Sequence, residues 1–167
     1  EIQRMVLDVL TEKNSGDESL LYYNSANSGG ARPKIAMQDS EGMHWIVKFR
    51  HTYDAVSVGR EEYLYMKTAR ECGINIPNIK LINDKYFAIE RFDIEQDKGV
   101  HVLTAAALLK SDFRNQTIDY TNLLALTGFL TQNPKEVEEM YRRMVYNVVC
   151  ENRDDHAKNF SFICRNG

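Results

Sequence analysis

Asn152-Arg153-Asp154-Asp155-His156-Ala157-Lys158-Asn159 is the stretch that decides how this chain folds and what it can do. Five of its eight side chains are charged or titratable and two more are amides, a density that suits a loop whose side chains converge on one point. On its N-terminal side, Asn133-Pro134 has the form of a helix start, an amide N-cap followed by proline at the first helical position. From there Val137, Met140, Tyr141, Met144, Val145 and Val148 recur at helical spacing, predicting a core helix that delivers the polar loop at its end. On its C-terminal side, Phe162 and Ile163 open an apolar run with the character of a strand.

Further upstream, helical spacing of Ile2, Met5, Val6 and Val9 predicts a short first helix, stopped at Asn14-Ser15-Gly16-Asp17. The small residues from Asn24 to Lys34 predict a loop whose amides can approach a ligand closely. Ile35 to Met37 and Trp45 to Phe49 predict an antiparallel hairpin, with Trp45, Val47 and Phe49 on one face and Ile46 and Lys48 on the other. A helix from about Val58 to Cys72 is expected to end at Gly73 and to carry Glu62 on or beside its inward face. A second hairpin, Ile79 to Ile82 and Tyr86 to Phe92, turns at Asn83-Asp84-Lys85. Helices are expected at His101 to Lys110, with its three alanines, and at Tyr120 to Leu130.

Composition bounds the function. A chain of 167 residues with 43% apolar and 27% charged residues and a net charge of −3 describes a globular protein without the basic excess of a dedicated nucleic-acid binder. Cys72, Cys150 and Cys164 occur singly, against a disulfide framework or a cysteine zinc site, and fit a reducing compartment. No apolar run approaches a membrane span, so a cytoplasmic location without membrane contact is expected. The start at Glu1 and the stop at Gly167 suggest a piece of a larger chain.

The order of hairpin, helix, hairpin, helices and polar loop is that of a kinase. Phosphoryl transfer needs backbone donors over the phosphates, a cation at their oxygens, magnesium ligands and a carboxylate near the attacking hydroxyl. Gly29 and Gly30 can aim amides at phosphates, although a glycine pair is also an ordinary turn. Lys48 on a strand and Glu62 on the next helix suit a held, charged lysine, with Glu61 as the other possible partner; solvated residues on exposed faces are the plainer alternative. Glu90 to Phe92 lies where a hinge would face adenine. Asp154 and Asn159 have the Asp-x-x-x-x-Asn spacing of the protein-kinase catalytic loop: Asp154 as base, Lys158 near the transferred phosphate, Asn159 on magnesium. His156 is a further candidate at the reacting centre or a hydrogen-bonded scaffold residue. Asp154, Asp155 and His156 could instead bind metals for hydrolysis, but no further cluster supplies the remaining ligands.

Gly29-Gly30-Ala31-Arg32-Pro33-Lys34, Trp45 to Phe49, Glu90-Arg91-Phe92-Asp93 and Asn152 to Phe162 resemble, in order, the signatures of the HipA family of bacterial toxin–antitoxin kinases. The resemblance runs from about Ser25 to Ile163. It implies an α+β, two-lobed serine/threonine protein kinase fold truncated at its C-terminus, with a sheet-containing lobe over 1–97 and the start of a helical lobe over 98–167. It also implies ATP and magnesium (Mg2+) as cofactors, an aminoacyl-tRNA synthetase or translation factor as protein substrate, growth arrest as the outcome, and a small DNA-binding antitoxin as partner, through which DNA is reached indirectly. By position, Lys48 would contact the nucleotide phosphates, Glu90 and Phe92 the adenine, Asp154 the substrate hydroxyl and Asn159 the metal. Two departures matter. The family's second metal-binding aspartate is expected beyond Gly167, so this segment alone is expected to be inactive; and Asn27 stands where many members carry an autophosphorylatable serine, with Ser25 and Ser28 nearby. A small-molecule kinase of the aminoglycoside or choline type, and a binding module without turnover, are the competing readings.

Overall fold

The computed structural model describes residues 32–50, 53–110 and 119–165, so the expected first helix and the Gly29-Gly30 loop lie outside the described residues. The described residues form two compact units, one of 32–70 with 76–92, the other of 71–75 with 93–165.

The first unit is a four-stranded antiparallel sheet with one helix. Its strands are β1 (Lys34–Gln38), β2 (His44–Lys48), β3 (Ile79–Ile82) and β4 (Tyr86–Glu90), in the order β1-β2-β4-β3. The first hairpin closes as its alternation requires: Trp45, Val47 and Phe49 are buried and form a core with Ile35, Ile82 and Ala88, while Ile46 and Lys48 occupy the other face. Asp39 organises the turn, accepting hydrogen bonds from the Met43 amide at 2.9 Å, the Glu41 amide at 3.1 Å and the Trp45 indole at 2.8 Å. At the second hairpin Asn83 and Asp84 both take left-handed backbone angles, φ 51° and 56°, and the Lys85 amide closes on the Ile82 carbonyl at 3.0 Å. That is the turn whose twist matches a hairpin. The strand that was expected to reach Phe92 ends at Glu90.

Helix α1 (Val58–Glu71) connects β2 to β3. Its second residue, Gly59, is buried against the β3–β4 turn so closely that a Cβ there would lie 2.0 Å from the Lys85 carbonyl oxygen. Glycine is needed for this approach, not for a turn. Gly73, at φ 82°, follows the helix in the left-handed conformation expected of a C-terminal cap.

The second unit contains two two-stranded ribbons, β5 (Ile94–Glu95) with β6 (Lys98–Gly99) and β7 (His101–Thr104) with β8 (Ser161–Cys164), and helices α2 (Ala105–Leu108), α3 (Tyr120–Thr131) and α4 (Pro134–Val149). Three helix starts are capped as side-chain chemistry dictates: Thr104 accepts from the Ala107 amide, Asp119 from Thr121 and Asn133 from Lys135.

Two sequence expectations are corrected here. His101 to Lys110 is not one helix: His101 to Thr104 pairs with Ser161 to Cys164, and only Ala105 to Leu108 is helical. The alanines favour helix, but Thr104 caps them and leaves the preceding segment to the β8 ladder. The apolar stripe of α4 is also rotated from its expected place. Met140 and Tyr146 are buried, while Tyr141, Val145 and Val148 are exposed. Among the described residues no helix is long and apolar enough to cross a membrane, and all three cysteines are free and exposed.

Candidate functional site

Among the described residues, each unit carries a cluster of chemistry-bearing residues. In the sheet unit, the Lys48 ammonium on β2 pairs with the Glu62 carboxylate on α1. Of the two candidate glutamates, Glu61 is engaged elsewhere, accepting the Ser57 hydroxyl at 2.6 Å. Lys48 and Glu62 are 31% and 21% exposed in their side chains, which leaves the pair reachable by a ligand while limiting solvent screening. The ammonium also lies 5.4 Å from the centre of the Phe87 ring.

Lys34 belongs to this cluster as well. The β1–β2 register sets Lys34 directly across from Lys48. Like charges opposed across two strands repel. Burial, then the Lys48 ammonium, lower the pKa of Lys34 below its ordinary 10.5, with Glu62 acting in the opposite sense. Two ammonium groups are thereby set side by side near the Glu62 carboxylate, an arrangement suited to an anionic ligand. The signal was present in the sequence as the lysine closing the glycine-rich stretch, but its position became clear only through strand register.

Glu90 and Phe92 are placed differently from one another. The Glu90 amide donates to the Asn78 carbonyl at 2.8 Å, and its carboxylate accepts from the Asn78 side chain at 2.7 Å and from the Asn78 amide at 3.3 Å. The Arg91 amide is likewise committed to the His44 carbonyl at 2.8 Å. These contacts brace the strand end. Phe92, 49% exposed, presents an aromatic ring to solvent beside it.

The polar loop forms the second cluster. Helix α4 ends at Val149 with Cys150 as its cap, Glu151 takes a left-handed φ of 52°, and the Asn152 amide bonds back to the Asn147 carbonyl at 2.9 Å. The Ala105 and Ala106 amides at the start of α2 donate to the Phe160 and Ala157 carbonyls at 2.9 and 3.1 Å, so the loop satisfies a helix terminus as it passes. Asp154 is left with its side chain 82% exposed, and its Oδ1 lies 3.2 Å from Nε2 of His156. The Nδ1 of His156 is buried without a hydrogen-bond partner among the described residues. Asn159 donates its amide N–H to the His156 carbonyl at 2.8 Å and its side-chain Nδ2 to the Asp154 carbonyl, which leaves Oδ1 as its ligand atom. Lys158 is exposed.

The adjacent acids have separated. Asp154 is open to solvent, whereas Asp155 is half-buried and accepts the Tyr120 hydroxyl at 2.5 Å. Tyr120 and Asn147, whose side-chain amide donates to the Tyr120 hydroxyl at 3.0 Å, were missed by sequence reasoning. Asn147 carried a faint signal as an amide within an otherwise apolar helix stretch.

Among the described residues no group of three or more His, Cys, Asp and Glu side chains could hold a metal ion. Asn159 offers one neutral oxygen, so a magnesium ion there would depend mostly on phosphate oxygens and water, the usual habit of that ion.

A family model of the HipA-like C-terminal domain matches residues 26–167. A curated relative, "Putative kinase Y4dM" of Sinorhizobium fredii, is 26% identical over 142 residues, covering 75% of this chain and 34% of that protein. Among solved structures, the Shewanella oneidensis MR-1 toxin–antitoxin complex of HipA, HipB and operator DNA matches with a TM-score of 0.63 at 21% identity, over 83% of this chain and 40% of that one. This chain therefore spans about a third of the curated relative and two fifths of the structural one, and shares with the latter an α+β, protein-kinase-like fold.

Proposed function

The chain belongs to the HipA-like C-terminal domain family, and from that premise we propose that its full-length protein is an ATP-dependent serine/threonine protein kinase acting as a growth-arrest toxin. The observation that carries the reading is the Lys48–Glu62 pair, with Lys34 directly across from Lys48 on the neighbouring strand. A lysine at a phosphate must be held still, and the ion pair with the Glu62 carboxylate does this. Bound ATP supplies the γ-phosphoryl group, with magnesium offsetting the charge on its oxygens. Lys34 and Lys48 hold phosphate oxygens, Asp154 accepts the proton of the attacking hydroxyl at its carboxylate, and Asn159 offers Oδ1 to the metal. Lys158 steadies the transferred group, and the His156 ring lies beside the Asp154 carboxylate. Phe92 supplies a flat apolar face for the adenine.

The Shewanella structure contains HipB and operator DNA beside HipA. By that likeness a small DNA-binding antitoxin is the proposed partner, with DNA reached through it, and a synthetase or translation factor is the proposed target. The test is phosphoryl transfer from γ-labelled ATP by the full-length protein. Label on serine or threonine of a protein, falling by about 10²- to 10⁴-fold in Asp154→Asn, is the expected result for a positioned acid–base group. Label on an aminoglycoside or choline instead, or nucleotide binding with no transfer, would overturn it.

A further inference from the structure

Four side chains form an unbroken chain of hydrogen bonds that leaves the loop and returns to it one residue later. The Asp154 amide donates to Oδ1 of Asn152 at 3.1 Å. Nδ2 of Asn152 donates to Oδ1 of Asn147 at 3.2 Å, Nδ2 of Asn147 to the Tyr120 hydroxyl at 3.0 Å, and that hydroxyl to Oδ2 of Asp155 at 2.5 Å. Every bond runs in the same donor-to-acceptor direction, from a backbone amide to a carboxylate. Bonds aligned in this way polarise one another, and the terminal charge strengthens the series. The chain crosses three elements, since Tyr120 is the first residue of α3, Asn147 lies in the last turn of α4, and Asn152 to Asp155 lie in the loop. The Tyr120 ring is itself held, packing edge-on against Phe160 with centroids 5.8 Å apart.

We propose that Tyr120, Asn147, Asn152 and Asp155 are positioning residues that fix the backbone on both sides of the Asp154 carboxylate, so that Asp154 meets the substrate hydroxyl in one orientation. Asp154 needs such help. Its side chain is 82% exposed, and the loop that bears it is polar, so little apolar packing holds it in place. The two acids thereby divide the work, with Asp155 anchoring and Asp154 reacting. This rests on the kinase reading above, but its structural half can be measured without activity.

The experiment uses the full-length protein and five variants. Tyr120→Phe removes the hydroxyl and keeps the ring; Asn147→Ala breaks the middle of the chain. Both are expected to lower kcat about tenfold with KM for ATP nearly unchanged, as for interactions expressed in the transition state. Asp155→Asn keeps an acceptor for the Tyr120 hydroxyl and should stay within about threefold of wild type, whereas Asp155→Ala should match Tyr120→Phe. Asp154→Asn, with identical chemistry one residue away, should lose far more. In hydrogen exchange, Tyr120→Phe should speed exchange at the Asp154 and Asn159 amides and leave strands β1 to β4 unchanged. An Asp155→Asn variant as inactive as Asp154→Asn would overturn the division of roles, and unchanged loop exchange in Tyr120→Phe would overturn the chain itself. If the wild type transfers no phosphoryl group, the kinase reading fails, while the exchange result still decides whether these residues hold the loop.

Discussion

Gly59→Ala tests whether the closeness of α1 to the sheet sets the Lys48–Glu62 pair. A Cβ at this position would lie 2.0 Å from the Lys85 carbonyl oxygen, 2.9 Å from its carbon and 3.2 Å from the Phe87 nitrogen. Contacts of a real Cβ stay beyond 3.0 Å, so the helix or the turn must yield by roughly 1 Å. No side chain can rotate away, because all three obstructing atoms are backbone. The turn resists, since Asn83 and Asp84 already occupy the left-handed region and the Lys85 and Phe87 amides belong to the hairpin. The helix is therefore expected to lift at its N-terminus. Overpacking of this kind costs about 1–3 kcal/mol, and the gain in helix propensity from alanine is less than about 1 kcal/mol at a first-turn position. A net loss of about 1–2 kcal/mol corresponds to a Tm lower by roughly 2–8 °C for a cooperative unit of about 150–250 residues. Function should suffer more than stability. Glu62 sits one turn along the same helix, and a displacement of about 1 Å at a positioned group can cost on the order of 10² in rate. Thermal unfolding and phosphoryl transfer by the full-length protein would be measured together, with Gly99→Ala as control, because a Cβ there meets nothing within 4 Å. A Gly59→Ala protein that melts at or above the wild-type temperature and transfers at the wild-type rate would refute the reasoning.

Three further outcomes follow from the same geometry. Gly128→Ala should raise stability by about 0.5–1 kcal/mol in thermal melts, because Gly128 lies inside α3 and its Cβ would meet the Val137 methyl at an ordinary 3.5 Å. Lys34→Gln should weaken ATP binding in calorimetry, since it removes a cation that lies across from Lys48, and equal affinity in the variant would contradict the assignment. Asp39 gives a pH-dependent outcome: burial opposes its charge, but bonds from the Met43 amide, the Trp45 indole and the Glu41 amide, with the Lys80 charge, hold its pKa below the usual 3.8. The unfolded chain thus takes up this proton first, so the stabilisation is complete above pH 3.8 and is lost as pH falls through the folded value. The Tm gap between wild type and Asp39→Asn should be constant near neutrality and shrink below that point; a gap independent of pH would contradict it.

What the sequence revealed and what it hid divide along a physical line. Strand alternation around Trp45, Val47 and Phe49 announced both the buried face and the outward lysine, because a period of two admits one arrangement when one face must be dry. The Asn133-Pro134 helix start was equally legible, since capping is local chemistry. The β7–β8 pairing was not: His101 to Thr104 finds its partner about sixty residues away, and local alanine content points the other way. The rotation of the α4 face escaped for a related reason. Tyr141, Val145 and Val148 satisfy helical spacing as well as Met140 does, and spacing cannot say which of two apolar faces is covered. Gly59 gave no signal, because a close approach between backbones leaves no pattern in neighbouring residues.

The two clusters are held by different forces, and this decides how each tolerates change. Lys48 and Glu62 are placed by a hydrophobic core and a tight helix approach, so volume is the sensitive variable: one added methyl at Gly59 outweighs loss of an exposed ion pair such as Arg60–Asp84, where about half of each side chain or more is open to solvent. The loop around Asp154 is placed by directed polar contacts, with Ala157 and Phe160 as its buried apolar points, so removing a single hydroxyl or amide matters more there than a methylene. Homologous chains can therefore drift in side-chain size around the loop while keeping its donors and acceptors, and drift in polarity around the sheet while keeping its volumes. A substitution that is conservative in one cluster is disruptive in the other: Tyr120→Phe preserves shape and breaks the loop's hydrogen-bond chain, whereas Gly59→Ala adds one methyl and displaces the helix that holds Glu62.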